Sequence, residues 1–330
     1  MLSAKDVSGV YVMAPTPCLE GGEHWSNTNS VDLEESARMT ENFIRDGISG
    51  FALCGTTGEC AALLWEEKLA FVDTVIQVAR HRVPVFAGAT SLGTKETIRQ
   101  MRAFRELGAE GAFVGLPLWQ TPTLENSIRW FEDLSQAVPD MPIMVYSNSR
   151  FFKSTFPLPF WVGVANRAPT VITNKITSDA ITEKLEEIVE LTGDRISYLP
   201  NESGALDAWK RVGNKIRGLW STSASMGPEP SVAFSEALNR NDEVRILEIV
   251  ADLRSVPTFF PPRQAGDPDH LEILNAQAEK ARFRAAGYVK CGPSRAPYLY
   301  EDMPEIARAA AEANGRGWAE MRKKYIKAVV

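Results

Sequence analysis

The chain has 330 residues, 44% of them hydrophobic and 24% charged, which are ordinary values for a folded globular protein and far from a disordered composition. Its formal charge of −6 comes from 36 basic residues dispersed against 42 acidic ones, so there is no electrostatic footprint for nucleic acid. No apolar run reaches the roughly 18 residues needed to cross a bilayer, and the opening Met1-Leu2-Ser3-Ala4-Lys5-Asp6 lacks a signal-peptide core, so a cytoplasmic protein without a membrane partner is expected.

Along the chain, short apolar runs alternate with amphipathic stretches, the rhythm of βα units around a parallel sheet. A strand over residues 10–14 is followed by a helix whose stripe is Leu33, Ala37, Thr40 and Ile44, with acidic residues in its first turn and Gly47 as its stop. After a strand at 50–53, a second helix shows the stripe Leu69, Val72, Ile76 and Ala79. A strand at 83–87 precedes a third helix with Ile98, Met101, Phe104 and Leu107 on one face, closed by Gly108. Further strands are expected at 111–115, 143–146, 171–173, 196–199 and 216–220. Eight strands suit a closed (β/α)₈ TIM barrel better than an open sheet. A near-repeat supports the barrel: Gly47-Ile48-Ser49-Gly50-Phe51 and Gly108-Ala109-Glu110-Gly111-Ala112 both read helix stop, tight turn, buried strand.

Beyond Trp220 the strand signals cease. The expected division is a catalytic barrel over residues 1–229 and a helical extension over 230–330, interrupted by the proline-rich run from Val256 to Pro262. Arg322, Lys323, Lys324 and Lys327 form the one basic cluster, read as a solvated face of the last helix. The four cysteines, Cys18, Cys54, Cys60 and Cys291, have no metal-type spacing and are read as reduced thiols. His24, His81 and His270 are scattered, so no metal site is expected. Neither a phosphate loop, a paired-glycine dinucleotide fingerprint nor a Gly-x-Ser-x-Gly elbow is present.

Reactive groups of a parallel barrel sit at the carboxyl ends of its strands. Three places there carry polar residues emerging from apolar runs: Gly55-Thr56-Thr57-Gly58-Glu59, Tyr146-Ser147-Asn148, and Asn174-Lys175. Lys175 at the end of a buried strand is a candidate carbonyl nucleophile, because an amine kept from water loses its proton more readily. Spacing alone leaves open a surface lysine at a strand edge. Tyr146 can relay protons or simply be a satisfied buried tyrosine. The Gly55–Gly58 turn offers two hydroxyls and close backbone N–H groups suited to a small carboxylate, or is a structural turn.

Taken together and in this order, these residues resemble the dihydrodipicolinate synthase and N-acetylneuraminate lyase superfamily of Schiff-base aldolases. The resemblance implies that Gly55, Thr56 and Thr57 bind a carboxylate, that Tyr146 relays protons and that Lys175 forms the imine. It extends from Met13-Ala14-Pro15-Thr16-Pro17 to Gly292-Pro293-Ser294-Arg295. Gly58-Glu59-Cys60-Ala61-Ala62-Leu63, Pro159-Phe160-Trp161, Trp220-Ser221 and Glu279-Lys280-Ala281-Arg282 look like the hydratase-aldolases that cut aromatic ylidenepyruvates in bacterial breakdown of polycyclic aromatic compounds. That likeness implies a small aromatic 2-oxo acid as substrate, no cofactor beyond the covalent imine, and a homotetramer. It also implies that Asn148, Trp220, Ser221 and Asn275 line the substrate, although Asn148 and Asn275 also suit helix or turn caps. Two positions depart from the subgroup: Thr57 stands where an aromatic residue is common, and Ser149-Arg150 replaces a proline-acid pair. Arg150 is therefore a candidate partner for a carboxylate on the substrate's ring. The rival readings are a synthase-like or sugar-acid pyruvate aldolase, and a noncatalytic keto-acid binder.

Overall fold

The computed structural model describes residues 1–177, 183–261 and 270–326, so Lys327 and Pro262 lie outside the described residues. Its eight parallel strands are β1 (Gly9–Met13), β2 (Gly50–Ala52), β3 (Val85–Gly88), β4 (Gly111–Val114), β5 (Ile143–Ser147), β6 (Val171–Ile176), β7 (Ser197–Leu199) and β8 (Gly218–Ser221). They follow one another in the order β7-β6-β5-β4-β3-β2-β1-β8. β1 pairs with β8, and across the remaining seam the Trp220 amide donates to the Pro200 carbonyl at 3.0 Å, which completes the expected TIM barrel. All strand residues except Gly9 are buried, as a sheet covered on both faces requires, and this explains why the strands read as continuous apolar runs.

The outer layer contains α1 (Leu33–Arg45), α2 (Trp65–Ala79), α3 (Thr94–Leu107), α4 (Leu124–Ala137), a short α5 (Ser149–Phe152), α6 (Leu158–Arg167), α7 (Leu185–Thr192), α8 (Glu202–Val212) and α9 (Glu229–Arg240). Side-chain caps start several of them: Asp32 accepts from the Glu35 amide, Thr123 from Asn126 and Asn201 from Gly204. The near-repeat has a steric cause. Gly47 and Gly108 turn the chain at φ of +96° and +101°, and a Cβ on Gly50 or Gly111 would fall 2.3 Å or 2.4 Å from the ring of Tyr11 or Phe86.

Three expectations shift. The buried face of α1 is Ser36, Met39, Thr40 and Phe43, whereas Leu33 is exposed. Glu35 is drawn inward because its carboxylate accepts from the Lys290 amide (2.7 Å) and pairs with Arg38, rotating the stripe. β6 runs to Ile176 rather than stopping at Thr173, since Tyr146 and Ser147 of β5 keep pairing with Lys175 and Ile176. α9 lies against β1 and β8, with Phe234 and Leu238 buried, so the eighth βα unit continues past the expected division at residue 229.

After α9 come α10 (Glu243–Ser255), α11 (His270–Ile273), α12 (Asn275–Ala286) and α13 (Glu305–Arg322). α12 and α13 pack closely enough that a Cβ on Gly315 would meet the Arg282 carbonyl at 2.1 Å, and with Leu274, Ala278, Met303 and Ala307 they form a second small core. Of the basic cluster, Lys323 and Lys324 are exposed in pairs with Glu320 and Asp252, while Arg322 bridges to Glu229 of α9. Among the described residues no helix is long and apolar enough to cross a membrane.

Candidate active site

Lys175 projects from β6 between the direct register partners Tyr146 of β5 and Leu199 of β7. The residue is 5% exposed, and its amine makes no hydrogen bond or ion pair among the described residues. Its neighbours are ring faces: Nζ lies 3.4 Å from the centroid of Trp220 and 4.5 Å from that of Tyr146. Burial pulls its pKa well below the ordinary lysine value, against a smaller upward pull from the Glu279 carboxylate. A ring face attracts an ammonium by only about 0.5–2 kcal/mol, less than the several kcal/mol that removing the ion from water costs. Burial therefore outweighs the ring faces and shifts the balance toward the neutral amine, whose lone pair can attack a carbonyl.

Tyr146 faces this amine with its phenol held from two sides: the Thr56 hydroxyl lies 3.1 Å away and the Asn148 amide donates to it at 3.4 Å. Its ring is stacked on Phe113 (centroids 4.8 Å apart) and meets Phe152 edge-on. Burial pushes the phenol up to about 12, so it keeps its proton at neutral pH and serves as a donor. The turn after β2 completes the cleft. Gly55, Thr56, Thr57 and Gly58 line a narrow cleft together with Tyr146 and Lys175.

That turn is held by a buried charge cluster. Glu59, at a left-handed φ of +53°, carries a carboxylate 2.6 Å from Lys280 Nζ of α12 and 2.6 Å from Arg295 Nη1, and it also accepts from the Arg295 amide. Thr16 donates to the Gly58 carbonyl at 2.8 Å. A dry amine, a protonated phenol and a rigid hydroxyl-lined turn around one small cleft form a constellation that can bind a 2-oxo acid covalently.

Comparison with known proteins identifies the family. The model of the Dihydrodipicolinate synthetase family matches residues 23–258. The chain belongs to this family. Among its relatives, the trans-O-hydroxybenzylidenepyruvate hydratase-aldolase of Pseudomonas putida is 36% identical over 99% of this chain and 97% of its own length. The trans-2'-carboxybenzalpyruvate hydratase-aldolase of Nocardioides sp. (strain KP7) is 32% identical over 98% and 97% of the two chains. The solved structure of PhdJ bound to substrate intermediate superposes with a TM-score of 0.93 at 30% identity, covering 98% of this chain and 99% of the other.

The family resemblance proposed further substrate residues, and the structure distributes them unevenly. Trp220 covers Lys175, its indole N–H donating to the Ile176 carbonyl at 2.8 Å. Asn148 does two things: its carbonyl caps α5 by accepting from the Arg150 and Phe151 amides, while its amide reaches Tyr146. Arg150 is half-buried on α5, two residues after Asn148. Asn275 opens α12 and is half-buried, with no side-chain hydrogen bond among the described residues. Ser221 does not share the cleft. Strand alternation turns its side chain outward, where it donates to Glu202 and accepts from the Ala224 amide at 2.7 Å.

Glu279 was not singled out for a role from the sequence, yet it is the carboxylate that acts on Lys175. It is buried on α12 and held by Arg282 at 2.8 Å, and Arg282 in turn donates to Thr222 just beyond β8. Burial raises its pKa, with Arg282 opposing. The available signal was compositional: residues 276–283 carry three charges among small alanines and are buried throughout, as a helix clamped on two sides must be.

Proposed function

We propose that this protein is a Schiff-base hydratase-aldolase that converts an aromatic ylidenepyruvate and water into an aromatic aldehyde and pyruvate. The observation that carries the reading is the buried Lys175 amine, without hydrogen bond or ion pair among the described residues, beside the ring of the protonated Tyr146. The names of the relatives supply the substrate class. No metal or organic cofactor enters the scheme.

The substrate carboxylate sits at the Thr56-Thr57 turn. The Lys175 lone pair forms the N–C bond at C2, the carbonyl pair moves to oxygen, and that oxygen leaves as water after taking up protons through Tyr146. The iminium then withdraws electrons from the conjugated C3–C4 bond. Water adds at C4, C3 takes a proton, and the iminium is restored. Loss of the C4 hydroxyl proton breaks the C3–C4 bond, expelling the aldehyde and leaving its electron pair as an enamine. Protonation at C3 and hydrolysis of the imine release pyruvate and the free amine.

The Trp220 indole beside Lys175 is proposed to meet the substrate's flat ring, which favours this reading over a synthase or sugar-acid aldolase acting on small polar partners. Arg150 is proposed to meet a ring carboxylate. A homotetramer is proposed as the assembly, supported by apolar side chains left exposed on the loops after β3 and β4, among them Trp119 at 86% and Leu92 at 65%. The test is a panel of benzylidene- and naphthylidene-pyruvates followed by loss of conjugated absorbance, with aldehyde and pyruvate expected in equal amounts. Pyruvate with borohydride should leave a reduced adduct on Lys175. Absence of both the adduct and the cleavage products overturns the proposal.

A further inference from the structure

We infer that Trp220 is a catalytic residue for imine formation: its indole face roofs the Lys175 amine in the free enzyme, excludes water from it, and so keeps the lone pair available for attack. The inference rests on the Schiff-base reading above and assigns a second role to a side chain so far treated only as a wall for the substrate's ring.

The geometry supports this independently of any substrate. At 3.4 Å from the ring centroid, Nζ is in van der Waals contact with the π face and leaves no room there for a water molecule. The residue is held in that pose through both its indole and its backbone. Its N–H donates to the carbonyl of Ile176, the residue after Lys175, and its backbone amide donates to Pro200 across the barrel seam. Ring and amine are thus fixed to the same pair of strand ends and move little against each other. The Tyr146 ring covers a second side of the amine at 4.5 Å.

Three groups around the amine bear on its protonation. The Tyr146 phenol of β5 is neutral. The Glu279 carboxylate of α12 favours the ammonium but is itself held by Arg282, so its field is largely satisfied elsewhere. The remaining influence is the exclusion of water, and Trp220 supplies the closest surface that excludes it. Once the protonated imine forms, the nitrogen is a cation against the same π face, an arrangement the ring stabilises. The roof therefore favours the neutral amine before attack and tolerates the cation after it.

The test uses the full-length enzyme with pyruvate as the carbonyl partner and cyanoborohydride as the trap. The amine adds to the keto carbon, the oxygen leaves as water, and hydride from the reagent reduces the iminium to a stable secondary amine. The adduct is quantified by mass on the peptide bearing Lys175 over a pH series, for the parent, Trp220→Ala and Trp220→Phe. Opening the roof lets water reach the amine, so the half-maximal pH of adduct formation in Trp220→Ala should rise by about one unit or more. On the acid limb this appears as about a tenfold loss of rate. The alkaline plateaus should converge, because the amine is then unprotonated in every protein, and Trp220→Phe should recover most of the shift. A profile in Trp220→Ala that superimposes on the parent's overturns the inference. So does a uniform drop at every pH, which is what loosened packing alone would give. Failure of the parent to form any adduct sinks the Schiff-base reading itself and is seen before any variant is compared.

Discussion

Replacing Lys175 by Met should remove the chemistry and at the same time stabilise the fold near neutral pH. Burial holds the amine's pKa well below the 10.5 of an unfolded chain. Between the two values the unfolded chain carries a proton that the native protein does not, so the free energy of unfolding rises with pH across that window. Below the native value the fold bears the whole penalty, and above 10.5 it bears none. Each unit of depression corresponds to about 1.4 kcal/mol, and the distance from pH 7 to the unfolded value sets a ceiling of about 5 kcal/mol at pH 7. Met has the same unbranched reach without a charge to desolvate, so Lys175→Met escapes the penalty at every pH. Urea denaturation of parent and variant at several pH values measures the difference. The variant should be the more stable at pH 7, with its advantage shrinking steadily toward pH 10. A variant no more stable than the parent at pH 7, or an advantage that stays constant with pH, would refute the claim that this amine is held dry.

Tyr146→Phe removes the proton donor while keeping the ring stack with Phe113, so kcat should fall by about 10²- to 10⁴-fold with the fold intact by circular dichroism; turnover within a fewfold of the parent would exclude Tyr146 from proton transfer. Glu59→Gln leaves Lys280 and Arg295 buried without their carboxylate and should destabilise the protein by about 3–5 kcal/mol in denaturant titration; an unmoved midpoint would mean that the cluster is not sealed from water. Arg150→Ala should lower kcat/KM for ring-carboxylated substrates relative to ring-hydroxylated ones by about tenfold or more, the worth of a charge-assisted hydrogen bond; an unchanged ratio removes Arg150 from the ring subsite.

The barrel was legible because its strands are buried on both faces and its helices keep a 3.6-residue stripe. The juxtaposition of the proposed catalytic pair was legible for a related reason: Tyr146 and Lys175 are polar groups at the ends of otherwise apolar runs, and parallel register sets them side by side. What failed was parity. Trp220 and Ser221 are consecutive in a strand, so only one of them can face the barrel interior, yet resemblance to a motif had put both against substrate. The α1 stripe failed because the tertiary partner of Glu35, the Lys290 amide, is 255 residues away in sequence and left no local trace. Glu279 was hidden similarly, since its meaning depends on which face of α12 meets the barrel mouth.

That face joins the two ends of the cleft. Within one turn of α12, Lys280 pairs with Glu59 under the Thr56-Thr57 turn, and Glu279 with Arg282 reaches Thr222 at the end of the strand that carries Trp220. The helix thereby braces the Thr56-Thr57 turn and the indole roof against one another, although neither it nor α13 contributes to the sheet. A chain ending after α9, at Arg240, would strand Glu59 without either of its buried cations and leave the strand end behind Trp220 unsupported. Removing one partner of a buried ion pair is among the most destabilising of single changes, so such a chain should lose the shape of the cleft before it loses the barrel. The helices after the barrel are therefore part of the cleft's support, and the positions of its side chains are as much a property of α12 as of β5 and β6.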